Sequence, residues 1–257
     1  MTMDFVDHMM STIPRSKPST DQFRRARVLA HRGVHDDKCT ENTFESFDRA
    51  LEIGAWGIEF DIRWTKDDEP VVHHDRDCLR TFGHSHILED HPFEILRRKF
   101  AKVPTLKEVV SRFKGKIHLM IELKRSEIEW SRKRIERLAS ELSELRPQQD
   151  YHLMSLDADL LLRCDFAPRS SLLPVAEFNA EALSQTVLRE KMAGLTGHYM
   201  LLNDKQVRRH IDAGQHVGTG FISSKSVLYR ELNRGVDWIF TNHPAMTLSL
   251  LTGPLRC

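Results

Sequence analysis

The chain has 257 residues, 40% of them hydrophobic and 29% charged, which is typical of a folded globular domain and excludes a disordered or collagen-like protein. The 38 basic and 37 acidic residues give a formal net charge of +1, so no global field attracts nucleic acid or an anionic membrane. An anionic ligand would have to be recognised by a local group of residues.

The cysteines are far apart in the sequence and form no C-x-x-C pair. They are Cys39, Cys78, Cys164 and Cys257. This spacing argues against a zinc knuckle or a disulfide framework and favours a reducing, cytoplasmic location. Charged residues interrupt the first thirty positions, so no signal peptide is expected. No stretch approaches the roughly 18 apolar residues of a membrane-spanning helix, whereas peripheral membrane contact stays open.

Residues 1–25 are predicted to be a polar, proline-containing arm, and residues 26–257 a single domain. The apolar residues of the arm have a helical spacing, at Phe5, Val6, Met9, Met10 and Ile13. Such a stretch could pack on the domain or on lipid. We interpret it as a structural arm, because an amphipathic stretch usually packs on a core.

After the arm, short apolar runs rich in β-branched residues alternate with longer stretches of helical period. The predicted strands are Val28 to Ala30, Gly57 to Arg63, Ile117 to Leu123, Tyr151 to Ser155, Leu172 to Ala176, Tyr199 to Leu202, His216 to Ile222 and Trp238 to Thr241. Eight parallel strands joined by helices predict a closed (β/α)8 TIM barrel of the α/β class. An open doubly wound sheet would show the same alternation, but no G-x-G-x-x-G loop follows the first strand.

Several predicted helices end at a glycine that suits a left-handed cap. They span Asn42 to Ile53, Asp204 to Ala213 and Val227 to Arg234, and the glycines are Gly54, Gly214 and Gly235. The longest helical pattern, Ser126 to Leu145, is strongly charged with apolar residues at helical spacing, which predicts an amphipathic outer helix.

Polar residues that can carry chemistry lie at the ends of the first three strands, where barrel enzymes place their active sites. Glu59 and Asp61 are two apart on one strand and therefore share a face, as do Glu122 and Lys124 on the next. Three carboxylates converging in a buried site would repel one another unless a cation lies between them. Oxygen ligands favour Mg²⁺ or Ca²⁺, with Mn²⁺ as a third option, over zinc.

Two histidines, His31 and His74, accompany these carboxylates, and a pKa near 6.5 suits either one to act as base or acid at neutral pH. Arg32 and Lys124 would complement an anionic group next to the cation. His73 is predicted to face away, because neighbouring residues on an extended strand alternate. The combination favours a phosphate ester as substrate.

In sequence order these motifs resemble the glycerophosphodiester phosphodiesterase family, over essentially the whole predicted barrel. The matching positions are HRG from His31, ENT from Glu41, Ala50, Gly54, E-x-D at Glu59 and Asp61, PVVHHD from Pro70, Arg80 with Thr81, Pro104 to Leu106, IELK from Ile121 and GVDWIFTNHP from Gly235.

The resemblance implies an enzyme of glycerol and lipid metabolism that uses one divalent cation to hydrolyse glycerophosphodiesters to glycerol 3-phosphate and an alcohol. In the mechanism usual for that family, the glycerol 2-hydroxyl attacks phosphorus, the alcohol leaves, and water opens the cyclic phosphate. The implied roles are metal binding by Glu59, Asp61 and Glu122, acid/base catalysis by His31 and His74, phosphate binding by Arg32 and Lys124, and support of the site by Glu41.

The chain departs from the family pattern on the far wall of the site. Gly220 to Ser223 read Gly-Phe-Ile-Ser where Trp-Thr-Val-Asn is usual, and Asn242 replaces a common Asp. The insertion after the second strand, residues 82–103, is shorter than in many relatives and is basic from Arg97 to Lys99. A more open mouth is therefore expected, with room for a bulkier substrate.

Two alternative functions remain open. A lysophospholipase D or sphingomyelinase D type of lipid phosphodiesterase would share the fold and the metal site, and an apolar membrane-contact surface would favour it. A barrel that binds a phosphorylated ligand without catalysis is a further alternative, against which the retained histidines and carboxylates argue.

Overall fold

The structure is a computed structural model that describes residues 3–126 and 130–252. The side chains of Phe5 and Val6, together with Ile128 and Cys257, lie outside the described residues, so the interpretations that involve them are not addressed below. None of the helices in the described ranges is long and apolar enough to cross a bilayer.

Strands and helices alternate along the chain as the hydrophobic pattern predicts. The strands are β1 (Arg27–His31), β2 (Gly57–Trp64), β3 (Pro70–Val72), β4 (Asp77–Cys78), β5 (His84–Ile87), β6 (His118–Leu123), β7 (Tyr151–Ser155), β8 (Leu172–Ala176), β9 (Gly194–His198), β10 (His216–Gly220) and β11 (Trp238–Thr241). The helices are α1 (Met3–Thr12), α2 (Thr20–Arg25), α3 (Phe44–Glu52), α4 (Leu79–Phe82), α5 (Phe93–Lys99), α6 (Leu106–Phe113), α7 (Arg132–Leu142), α8 (Ala158–Arg163), α9 (Ala180–Arg189), α10 (Asp204–Asp212), α11 (Lys225–Arg234) and α12 (Pro244–Thr252).

Eight of the described strands pair in parallel and close a barrel, in the order β1, β2, β6, β7, β8, β9, β10, β11. Closure is complete because β1 bonds to β2 on one side and to β11 on the other. The predicted (β/α)8 TIM barrel is confirmed. A hydrophobic layer between strands and helices surrounds the barrel. Inside it, Leu29, Met120, Leu173 and Trp238 pack together and form a floor beneath the carboxyl ends of the strands.

One predicted strand is wrong. Tyr199 to Leu202 form a turn, and the strand is Gly194–His198 immediately before them. Tyr199 and Leu202 are apolar because they are buried in the turn, at 0% and 1% exposure. The strand carries glycine where its neighbour is close: a Cβ on Gly194 would lie 2.0 Å from the backbone oxygen of His216. A strand with so few apolar side chains gives no hydrophobic signal in the sequence.

The predicted helix ends are confirmed, since Gly54, Gly214 and Gly235 follow their helices with φ values of +76°, +71° and +92°. The outer helix α7 is shorter than the predicted stretch from Ser126, because the Ser131 side chain caps its first turn by accepting a bond from the Arg134 amide.

The first residues of the chain pack on the barrel. Helix α1 lies against α11, and Met10 contributes to the main hydrophobic layer. The ring of Phe23, in α2, meets Tyr229 edge to face with centroids 5.8 Å apart. We propose that residues 1–25 are an arm attached to a single domain formed by residues 26–257.

The short insertion after β2 has its own small core. Strand β3 pairs antiparallel with β2, and β4 pairs with β5 in a separate ribbon. Val71, Cys78, Leu88, Leu96 and Phe100 pack together beneath this segment. The insertion therefore holds β3, and the histidines that follow it, firmly against the rim of the barrel.

Candidate active site

Strand register brings the three predicted carboxylates together at one end of the barrel. On β2 and β6, Asp61 pairs directly with Glu122, and Glu59 lies two residues earlier on the same face. One oxygen of each of the three carboxylates lies within 4.8 Å of the others. Glu59 and Asp61 are each 1% exposed. This arrangement is compact enough for all three to bind a single cation.

The electrostatics of this cluster favour a bound cation. Burial, and then the charges of Asp61 and Glu122, raise the pKa of Glu59 well above its usual value, and burial with Asp61 raises that of Glu122. Burial also acts to raise the pKa of Asp61, but the charges of Lys124, Arg32 and His74 have the larger combined effect and lower that pKa below its usual value. Oxygen Oε1 of Glu59 is buried without a hydrogen-bond partner. The donor set is entirely oxygen, so the residues present fit Mg²⁺, Ca²⁺ or Mn²⁺.

The two predicted phosphate-binding cations lie beside the carboxylates. Lys124 Nζ is 2.8 Å from Glu122 Oε1 and 3.4 Å from Asp61 Oδ1. Arg32 Nε is 3.4 Å from Asp61 Oδ2, and its Nη1 donates to Glu41 Oε1 at 3.0 Å. Their positive charges partly neutralise the cluster and face the same cavity.

A tight turn after β1 positions Arg32. Its φ of +57° lies in the left-handed region, and its amide donates to the Glu59 backbone oxygen at 2.9 Å. Gly33 follows at φ +81°, and a Cβ there would meet Ser46 at 2.5 Å. The glycine of the HRG motif is thus required by conformation and by space.

His31 is held by a residue from the last strand of the barrel. Its Nδ1 lies 2.6 Å from Asn242 Oδ1, while Nε2 lies 3.8 Å from Glu59 Oε2. Burial, followed by the charge of Arg32, lowers the pKa of His31 to about 4. The ring is therefore neutral at pH 7, donates from Nδ1 to Asn242, and presents the lone pair of Nε2 to the cavity.

His74 is held by a chain of charged groups. Its Nδ1 lies 2.7 Å from Asp75 Oδ1, and Arg80 Nε donates to the other oxygen of Asp75 at 2.7 Å. Arg80 also donates to both oxygens of Glu41, at 2.9 and 2.6 Å, and Glu41 in turn accepts from Arg32.

Both carboxylates in this series of ion pairs, Asp75 and Glu41, are ionised at neutral pH. Burial alone would raise the pKa of Asp75, but bonds from His74 and Arg80 lower it to about 2. Arg80 and Arg32 likewise overcome the effect of burial on Glu41 and lower its pKa to about 2. For His74 itself, burial is the largest cause and lowers the pKa below the usual 6.5.

His73 faces away from the cavity, as strand alternation predicts. Its two ring nitrogens contact the Asp75 backbone oxygen at 3.0 Å and Thr81 Oγ1 at 2.9 Å, and its ring packs near Phe82. His73 therefore stabilises the insertion.

Four residues of the site are given no role in it by the sequence. The sequence places Asp75, Arg80 and Asn42 only within motifs, Asn42 also at the start of a helix, and Asn242 on the far wall. Asn42 Nδ2 donates to Asp61 Oδ2 at 2.8 Å, and Asn242 holds His31. The position of Asp75 directly after His74 was an available signal, whereas that of Asn242 depends on barrel closure.

The site opens into a cavity of about 330 Å³ with two unlike halves. One half comes from β1, β2, β6 and the segment after β3 and is lined by titratable residues: His31, Arg32, Glu59, His74, Glu122 and Lys124. The other half comes from the remaining strands and their loops and is mainly apolar, with Met154, Leu156, Val175, Ala176, Leu201, Phe221 and Phe240, but it also includes Glu177, Thr196 and His198.

Comparison with known proteins gives consistent matches. The family described as "Glycerophosphoryl diester phosphodiesterase family" matches residues 31–246. A Bacillus altitudinis protein named glycerophosphodiester phosphodiesterase is 28% identical over 236 residues, covering 85% of this chain and 95% of that protein. The Bacillus subtilis protein YhdW is 37% identical over 108 residues, which span 38% of this chain and 44% of YhdW. The crystal structure of a glycerophosphodiester phosphodiesterase from Parabacteroides distasonis superposes with a TM-score of 0.77 at 25% identity, covering 92% of this chain and 98% of that one.

Proposed function

The chain belongs to the glycerophosphoryl diester phosphodiesterase family, and from this premise we propose that its cavity hydrolyses glycerophosphodiesters by metal-assisted histidine acid/base catalysis. The enzyme is a phosphoric diester hydrolase on a TIM barrel. Its substrates are small molecules, and its products are glycerol 3-phosphate and a free alcohol.

Glu59, Asp61 and Glu122 would hold one divalent cation, Mg²⁺ or Ca²⁺, with Mn²⁺ as a third option. The proximity of their oxygens and the unpartnered Oε1 of Glu59 support this assignment. A bound cation would polarise the phosphoryl oxygens and offset the negative charge that develops on them. Arg32 and Lys124, beside the carboxylates, would complement the remaining phosphate charge, and Glu41 would orient Arg32.

His31 is the proposed base for the first step. Its Nε2 lone pair faces the cavity because Nδ1 is bonded to Asn242, so it can take the proton of the glycerol 2-hydroxyl as that oxygen bonds to phosphorus. His74, oriented by Asp75, would donate a proton to the alcohol oxygen as its bond to phosphorus breaks. Water then opens the cyclic phosphate with the two histidines in exchanged roles.

The single observation that carries this proposal is the placement of both histidines and both cationic side chains around one three-carboxylate cluster. These four side chains line the same cavity as Glu59 and Glu122. A structural role would not require these groups to converge. A barrel that only binds a phosphorylated ligand would have no use for two oriented imidazoles.

The test is a release assay with glycerophosphocholine and glycerophosphoethanolamine, each with Mg²⁺, Ca²⁺ or Mn²⁺ and after chelation with EDTA. Glycerol 3-phosphate should appear only with metal. Glu59→Gln should remove activity, whereas the matched control Glu45→Gln, at a carboxylate outside the cavity, should retain it. Turnover that persists in EDTA, or in Glu59→Gln, would refute the metal assignment.

We also propose that the enzyme works in the reducing environment of the cytoplasm. The three cysteines in the described part of the chain, Cys39, Cys78 and Cys164, are buried free thiols, which supports this location.

A further inference from the structure

A third histidine lies behind His31, and the proposed function gives it no role. His35 belongs to the loop after β1, is partly buried, and is not among the residues that line the catalytic cavity. It is nevertheless one of the smaller influences on the pKa of His31, the largest being burial. The two imidazoles are therefore near neighbours, and His35 can influence the proposed base without touching the substrate.

Asn242 connects the two histidines. It directly follows β11, which pairs with β1 so that Thr241 lies beside Ala30. Its Oδ1 is 2.6 Å from His31 Nδ1. Burial is the largest influence on the pKa of His35 and lowers it, whereas a side-chain hydrogen bond to Asn242 acts to raise it, as expected when the imidazole is the donor. The acceptor is the carboxamide oxygen, because the carboxamide nitrogen can only donate. One oxygen with two lone pairs thus faces two imidazoles.

The single hydrogen of the His35 ring belongs on the nitrogen that faces Asn242. Burial lowers the pKa of His35 below 6.5, and the opposing charge of Glu41 does not outweigh it, so the ring is neutral at pH 7 and carries one N–H. Nε2 of His35 is buried and has no hydrogen-bond partner among the described residues. A buried N–H without an acceptor is costly, so Nε2 keeps its lone pair and Nδ1 carries the hydrogen.

The carboxamide of Asn242 has two unlike ends of nearly equal shape, and only one of them suits His31. With Oδ1 toward the ring, the hydrogen is on Nδ1 and the lone pair of Nε2 faces the cavity. With Nδ2 toward the ring, Nδ1 must accept and the hydrogen moves to Nε2, which can then take no proton from the substrate. Each orientation makes one hydrogen bond, so His31 alone does not decide between them. Glu59 Oε2 lies 3.8 Å from Nε2 and favours the second, because a carboxylate attracts a hydrogen on that nitrogen.

We propose that His35 is a positioning residue, whose Nδ1–H donates to Asn242 Oδ1 and holds the amide in the orientation that leaves Nε2 of His31 free to accept a proton. If the amide turned over, His35 would have to move its own hydrogen to Nε2, which is buried without a partner in the described part of the chain. The cost of that unpaired N–H keeps the amide in place. The inference rests on the proposed function, because it takes His31 as the base.

The first test is steady-state release of glycerol 3-phosphate from glycerophosphocholine by His35→Phe, at pH 8 and saturating metal. The substitution keeps an aromatic ring but removes the N–H donor, so the amide can turn over. We expect kcat to fall ~10-fold or more with KM within twofold of wild type, because leaving a buried donor unpaired shifts an equilibrium by at least about that factor. The matched control His8→Phe, at an exposed histidine on α1, should keep wild-type kcat.

The same substitution in an Asn242→Asp background distinguishes positioning from a structural role. Both oxygens of a carboxylate accept hydrogen bonds, so either one keeps the hydrogen on Nδ1 of His31 and a second donor is not needed. His35→Phe combined with Asn242→Asp should therefore have a kcat within twofold of Asn242→Asp alone. An equal loss in both backgrounds would mean that His35 only supports the fold, and it would overturn the inference.

The tautomer of His31 gives a readout that does not depend on turnover. In protein labelled with nitrogen-15 histidine, proton–nitrogen correlations show which ring nitrogen carries the hydrogen, and the signals of His31 are those lost in His31→Gln. The hydrogen should be on Nδ1 in the wild type and mainly on Nε2 in His35→Phe. His35→Leu is measured in parallel, with thermal unfolding of each variant, so that a phenyl ring that is not accommodated does not decide the result.

The outcomes separate this inference from the proposed function. Wild-type kcat in His35→Phe or His35→Leu, with the hydrogen still on Nδ1 of His31, would overturn the inference and leave the proposed function standing. A wild-type protein that releases no glycerol 3-phosphate with any metal would overturn the proposed function and, with it, this role of His35.

Discussion

Replacing Asp75 by Asn tests whether His74 works through the orientation that its neighbour imposes. The substitution preserves size but removes the charge that accepts from His74 Nδ1 and Arg80 Nε, both at 2.7 Å. Because the pKa of Asp75 is about 2, the carboxylate is fully charged at pH 7. An asparagine carries no charge that stabilises the protonated His74 from which the proton is donated, and it can turn its amide N–H groups toward the ring.

The size of the effect follows from the loss of the orienting carboxylate, which in a comparable histidine–aspartate pair lowers kcat by up to ~10⁴-fold. We expect kcat to fall by ~10² to ~10⁴ with KM nearly unchanged. The free energy of unfolding should fall by less than ~1 kcal/mol, since partly exposed ion pairs contribute little.

The assay is steady-state release of glycerol 3-phosphate from glycerophosphocholine at saturating metal, with thermal unfolding as a check on the fold. Asp37→Asn, at an exposed carboxylate in the loop after β1, is the matched control and should retain wild-type kcat. If Asp75→Asn kept kcat within twofold of wild type, the proposed positioning of His74 would be refuted.

Three further outcomes are expected. Metal at 100 times its Kd should stabilise the fold by about 2.7 kcal/mol and raise Tm by about 5–10 °C, a shift that calorimetry should find missing in Glu59→Gln. The pKa of Glu41 is lowered from 4.5 to about 2. The ionised Glu41 therefore stabilises the folded state fully above pH 4.5, and this contribution is lost as the pH falls toward 2. In urea unfolding, the free energy of unfolding of the wild type should fall by up to ~3 kcal/mol relative to that of Glu41→Gln over this pH range. Gly194→Ala should lower the free energy of unfolding by at least ~2 kcal/mol, because the new Cβ would lie 2.0 Å from the His216 backbone oxygen. Gly220→Ala is the control, since the atom nearest to its new Cβ would be 3.8 Å away. Equal stabilities of the two variants would contradict the packing argument.

Much of the site could be predicted from local sequence. The E-x-D spacing places Glu59 and Asp61 on one face of a strand, and the same alternation separates His73 from His74. The glycines after helices mark where the backbone turns left-handed. These are properties of a few consecutive residues, so they hold whatever the rest of the chain does.

Other features could not be predicted because they join distant parts of the chain. The partner of His31, Asn242, is 211 positions away and becomes its neighbour only when β11 pairs with β1. The sequence does not indicate the strand Gly194–His198, because Gly194 allows the close approach of β10 and Gly197 that of β8, and glycines carry no hydrophobic pattern.

The sequence by itself therefore determined the barrel class, the family and the identities of the charged groups, since strand alternation and motif order are local. Only the tertiary structure decided that Asn242 holds His31 and that a series of ion pairs joins His74 to Arg32. The reason is physical: closing eight strands into a ring sets the distances between loops that are far apart in sequence, and no local preference encodes those distances.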